Sequence, residues 1–62
     1  MTLCEARTQK GMTQEQLAKK LRVTQSAVAR WETGANPPLK KYHKDIARVL
    51  QVPAKEIDEL KE

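Results

Sequence analysis

The stretch Thr13–Gly34, TQEQLAKKLRVTQSAVARWETG, decides the fold. Thr13 with Gln16 three residues on is a capping box, in which each side chain satisfies a backbone amide of the other. Met12 before the cap and Leu17 at the fourth helical position fit the apolar pair that sets how a chain enters a helix. The spacing predicts a helix over Gln14–Leu21 that buries Leu17, Ala18 and Leu21. Thr24 caps the next helix, with Val23 and Val28 repeating the apolar pair, and that helix stops at Thr33–Gly34. Only Arg22, Val23 and Thr24 join the two, so they must cross steeply over a single turn.

Working outward, Thr2 with Glu5 is a second capping box and predicts a helix from about Leu3 to Lys10. Gly11 then closes it in the left-handed region, and Leu3 and Ala6 form its thin apolar face. On the other side, Asn36–Pro37–Pro38 is a loop that no helix crosses. Leu39, Tyr42, Ile46, Val49 and Leu50 recur at helical spacing, which predicts a fourth helix over Leu39–Leu50. Pro53 suits the first turn of a fifth helix ending near Leu60 and contributing Ile57 and Leu60 to the core. Strand alternation, repeats and low-complexity segments are absent. The expected fold is all-α, a single compact domain of five helices over residues 1–62.

Composition narrows the function. A chain of 62 residues buries only roughly 60% of its unfolded surface, so stability is modest. One cysteine excludes an internal disulfide, and no Cys/His cluster exists for zinc. Cys4 reads as a tolerated small side chain. No stretch is long and apolar enough for a bilayer and no secretory leader is visible, so a reducing, cytoplasmic setting is expected. His43 is the only histidine, and no carboxylate pair or nucleophile–base set appears, so an enzyme, a cofactor or a metal site is not expected. Residues 1–52 carry ten Lys and Arg against Glu5, Glu15, Glu32 and Asp45. Residues 53–62 carry Lys55 and Lys61 against Glu56, Asp58, Glu59 and Glu62. A basic body with an acidic end suits a polyanion bound by the body.

Counting from Gln14, the residues Leu17, Ala18, Leu21, Val23, Val28 and Trp31 fall at positions 4, 5, 8, 10, 15 and 18. Position 5 is small because the third helix passes close over the second there. This pattern resembles the helix-turn-helix of the phage repressor and Cro family, also called the XRE-like regulators. The resemblance extends to Arg7 and Gly11 leading into Met12–Thr13–Gln14, to Trp31–Glu32–Thr33–Gly34 and its following prolines, and to Ile46–Val52. It implies a lambda-repressor-like domain whose third helix lies in the major groove of double-stranded DNA. Gln25 and Ser26 would then face base edges, Arg30 would take a guanine, and Ala29 would touch a thymine methyl. Thr13, Gln14, Arg22, Thr24, Asn36, Lys40 and Lys41 would meet phosphates. Arg7 and Glu32 occupy the family's positions for an ion pair between the first helix and the end of the third.

The chain departs from the family pattern at Arg22, where glycine is usual because the turn needs a positive φ, and at His43, where leucine is frequent. His43 is expected to be partly exposed on its helix, Trp31 to be core, and Tyr42 to pack against the core. The resemblance implies a small Cro-like repressor acting as a homodimer on a palindromic operator, including one that pairs only on DNA. Gln51–Glu56, with Tyr42, are the candidate dimer residues. The alternatives are an antitoxin-type autoregulator that binds both DNA and a protein toxin, and a protein-interaction module that kept the fold.

Overall fold

A computed structural model describes residues 1–60. Lys61 and Glu62, counted above in the acidic end, lie outside the described residues. Four α-helices follow in order: α1 (Leu3–Gln9), α2 (Gln14–Leu21), α3 (Gln25–Thr33) and α4 (Lys40–Leu50). Two short 3-10 turns, Ala54–Glu56 and Asp58–Leu60, complete the chain, and no strand occurs among the described residues.

The helix starts obey the capping logic. Thr2 and Thr13 each accept from the third helical amide at 3.0 and 3.1 Å, and Glu5 and Gln16 each answer at 2.9 Å. Thr24 accepts from Ala27 N at 3.2 Å without a reciprocal partner, because alanine stands where a Glu or Gln is needed. Met12 and Val23, the residues before two of these caps, are half-buried against the core. α1 ends at Gln9, one residue earlier than expected, with Gly11 at φ 69° beyond it.

Three of the four helix ends, those of α1, α2 and α4, close by a shared device. Met12 N donates to Arg7 O, Val23 N to Ala18 O and Val52 N to Ala47 O, at 3.2, 3.0 and 3.2 Å. Each bond spans five residues and requires a left-handed residue inside it. Gly11 fills that place after α1, but Arg22 (φ 60°) fills it after α2 and Gln51 (φ 57°) after α4. The left-handed Arg22 agrees with the sequence expectation; the same conformation at Gln51 was not foreseen.

The core comprises Leu3, Ala6, Leu17, Ala18, Leu21, Val28, Trp31, Ile46, Leu50, Ile57 and Leu60. Trp31 is 6% exposed, and Tyr42 tilts against it with ring centroids 5.6 Å apart. Two expectations need correction. Leu39 does not begin α4 as a core residue; it is the extended N-cap, 61% exposed, while Pro38 before it is buried. The expected fifth helix is two 3-10 turns separated by Ile57 in an extended conformation. The cause lies across the domain. Asp58 N donates to Met1 O at 2.7 Å, outside any helical ladder, and Glu59 accepts from Leu3 N at 2.7 Å. Docking against the start of α1 thus diverts the Asp58 amide and interrupts the ladder between the two turns, while Ile57 and Leu60 still reach the core.

Candidate nucleic-acid interface

At about 100° per residue, α3 divides into two faces. Val28 and Trp31 are buried, which anchors the helix on one side. Gln25, Ser26, Ala29, Arg30 and Thr33 then occupy an arc of about 140° on the other. Gln25, Ser26, Arg30 and Thr33 are exposed and Ala29 is half-buried. The Thr33 hydroxyl is engaged, donating to Arg30 O at 3.2 Å. By contrast, the side chains of Gln25, Ser26 and Arg30 make no hydrogen bond, ion pair or ring contact with the described residues. The structure therefore groups the expected base-reading residues on one open face.

Behind this face, the end of α3 is held by a compact polar cluster. Arg7 donates to Glu32 through Nε at 2.6 Å and Nη2 at 3.2 Å, and its Nη1 donates to Met12 O at 2.6 Å. Gln14 Nε2 donates to Glu32 Oε1 at 3.0 Å. The Arg7 and Glu32 side chains are only 14% and 6% exposed. The Arg7–Glu32 pair thus joins α1, the connection into α2, the first turn of α2 and the last turn of α3. Burial pushes the Glu32 carboxyl up, but hydrogen bonds from Arg7 and Gln14 and the Arg7 charge outweigh it and hold the group below its ordinary value. The same bond from Glu32 raises Arg7. Cys4 is exposed, with its Sγ 3.5 Å from Arg7 Nη2.

The residues expected at phosphates fall into two groups. Thr13 and Gln14 open α2, yet their side chains are engaged by Gln16 N and Glu32. What that terminus offers is backbone: neither the capping box nor the helical ladder uses the Gln14 and Glu15 amides. Asn36, Lys40 and Lys41 surround the start of α4, the one α-helix without a side-chain cap bond among those described. Lys41 Nζ lies 5.2 Å from the centre of the Tyr42 ring, and Lys40, Lys41 and Asn36 are exposed. Arg22 and Thr24 are exposed on the turn between α2 and α3.

Sequence reasoning missed the role of His43. It sits at the fourth helical position of α4, and its Nε2 is 3.1 Å from the carbonyl of Pro38, the residue before the cap. That is the apolar-pair position of the other helices, here made polar. The signal was available in the spacing, but a histidine there does not resemble the hydrophobic pattern. Lys10 Nζ also bonds Gln51 Oε1, bridging the ends of α1 and α4 over a groove of about 270 Å³ floored by Ala6 and Leu50.

Among the described residues no group of His, Cys, Asp and Glu could hold a metal, and no helix is long and apolar enough to cross a membrane. Searches among curated proteins and among solved structures gave no match. A family model described as helix-turn-helix matches residues 5–57, from within α1 to just past the first 3-10 turn. With that match, the packed α2–α3 pair and the open outer face of α3, the chain belongs to the helix-turn-helix family of DNA-binding regulators, of the phage repressor and Cro (XRE-like) type.

Proposed function

We propose that this chain is a sequence-specific transcriptional regulator of the small Cro-like repressor kind, acting in the cytoplasm as a dimer on a palindromic operator. One observation carries the reading. On the outer face of α3, Gln25, Ser26 and Arg30 are exposed and unpartnered, whereas Thr13, Gln14, Gln16, Thr24 and Glu32 are engaged in caps and in the Glu32 cluster. Polar groups held open on a rigid, buried-anchor helix suit hydrogen bonding to base edges. Ala29 between them offers a methyl to a thymine.

Phosphate contacts fix such a helix in the groove without reading sequence. The open amides of Gln14 and Glu15 and the dipole of α2 favour one phosphate beside Thr13. Asn36, Lys40 and Lys41 at the uncapped start of α4 favour a second, and Arg22 and Thr24 extend the contact along the turn.

One short helix reads only a few base pairs, so useful specificity calls for a second copy about 34 Å away. The segment Gln51–Glu56 lies on the far side of α4 from its start and presents Pro53, Lys55 and Glu56 to solvent. We assign the dimer contact there. Tyr42, packed on Trp31 and covered by Lys41, is less available than the sequence suggested. Pairing on DNA is the expected mode.

The test is binding to random duplex and to duplex selected from a random pool, across salt concentrations. The selected site should hold at least about a thousandfold advantage, with both affinities falling steeply as salt rises. Equal, weak binding to every sequence would refute the reading.

A further inference from the structure

Resting on the reading that the chain pairs through Gln51–Glu56, we propose that the groove between the ends of α1 and α4 is the receiving half of that contact. It takes Pro53 of a second copy, and Lys10 on its rim takes the second copy's Glu56. The groove holds about 270 Å³ and is lined by Ala6, Gln9 and Lys10 at the close of α1 and by Leu50, Gln51 and Val52 at the close of α4. Ala6 and Leu50 are wholly buried and give an apolar floor; Gln9, Lys10 and Gln51 are exposed and give a polar rim.

The rim is held under strain. Gln51 sits at φ 57°, where a side chain is disfavoured and glycine is not, yet its amide oxygen accepts from Lys10 Nζ and fixes that ammonium over the groove. Backbone strain of this kind clusters where the side chain it carries is used. The partner of Lys10 is a neutral amide, so the ammonium keeps donors for a carboxylate, which binds it more strongly.

The inserting half stands directly beside the groove. Pro53 follows Val52 and is exposed. The bond from Glu56 N to Pro53 O at 2.9 Å closes a 3-10 turn, in which residues three apart lie on the same side. Pro53 and Glu56 therefore project together. Pro53 has no amide N–H and its carbonyl is already engaged, so burying it leaves no backbone group unpaired. The Glu56 carboxylate is exposed and makes no hydrogen bond or ion pair with the described residues. An apolar knob beside a free anion thus matches an apolar floor beside a fixed cation. Both halves are neighbours on one surface, so two copies related by a two-fold axis make both engagements at once. A helix, about 10 Å across, is too wide for a groove this small, whereas one compact side chain fits.

The experiment uses the full chain and a duplex selected from a random pool, offered as one half-site and as two half-sites in inverted order. The parent should bind the paired site cooperatively. Lys10→Glu and Glu56→Lys should each lower that cooperative gain by about tenfold or more, and the double variant should restore it, because the exchanged charges still meet across the axis. Pro53→Ser should lower it as well. All variants should bind the single half-site about as the parent does, which shows that each is folded. Cooperativity that survives every single change, or a loss that the charge exchange does not restore, overturns the groove assignment and leaves the pairing in place. Loss from Lys10→Glu alone means that another segment fills the groove, and overturns the assignment equally. A parent that binds the paired site no better than two independent half-sites overturns the dimer reading, and the assignment with it.

Discussion

Arg22 offers the sharpest test of how this sequence accommodates its fold. It sits at φ 60°, ψ 40°, capping α2 in the left-handed region, with its side chain exposed and unbonded. A side chain with a Cβ costs about 1–2 kcal/mol in that conformation, which glycine avoids. Glycine also frees the unfolded chain, giving back about 0.4–1 kcal/mol. The difference leaves Arg22→Gly more stable by about 0.5–1 kcal/mol. In a domain of this size that raises the midpoint of thermal unfolding by about 2–8 °C. Arg22→Ala is the control, since it removes the guanidinium but keeps the Cβ, and it should melt within a few degrees of the parent. Circular dichroism melts of the three proteins make the comparison. If Arg22→Gly melts no higher than Arg22→Ala, the strain argument is wrong. The same pair separates a second role. If the guanidinium meets a phosphate, both variants lose DNA affinity equally and the salt dependence falls by about one unit.

Removing Glu32 alone, as Glu32→Ala, strands a mostly buried Arg7 and should cost about 3 kcal/mol or more by denaturant unfolding; replacing both partners with Met should recover most of that loss. The Glu32 carboxyl titrates below its ordinary value, so its contribution is complete above the unfolded value of about 4.3 and is lost as pH falls through the folded value. Melts of the parent should therefore decline below about pH 4, and Glu32→Gln should show a flatter acid limb. Thr24→Ala should cost about 1 kcal/mol and fray the turn carrying Gln25 and Ser26, so DNA affinity should fall further than for Thr2→Ala, which uncaps α1.

The polar cluster and the open face belong to one arrangement. Glu32 lies in the last turn of α3 with Arg30, while Gln25 and Ser26 open the first turn, and Glu32 is fixed by Arg7 and Gln14 from two different elements. A reading helix held this way loses little freedom on binding, and preorganisation of that kind raises affinity without adding contacts. Gln14 shows how the fold divides one residue between two tasks. Its position at the start of α2 was legible, but the amide is turned to Glu32 and only the backbone remains for an anion.

What the sequence determined by itself was local. Thr2, Thr13 and Thr24 announce helix starts because a cap acts within four residues, and the spacing of Leu17, Ala18, Leu21, Val28 and Trp31 marks buried faces because a helix repeats every 3.6 residues. Arg22 in the left-handed region was legible for the same reason: the turn between α2 and α3 is short enough to fix its backbone. What only the tertiary structure decided was long-range. The residues after Pro53 have helical composition, yet Met1 O accepts the Asp58 amide and Leu3 N donates to the Glu59 side chain, both from the far end of the chain. Leu39 looked apolar enough to be buried, but Pro38 takes the inner position and His43 holds it there. Which strong polar groups are left over for a partner is likewise settled by what the rest of the fold engages. A hydrogen-bonding side chain is free or engaged only in three dimensions.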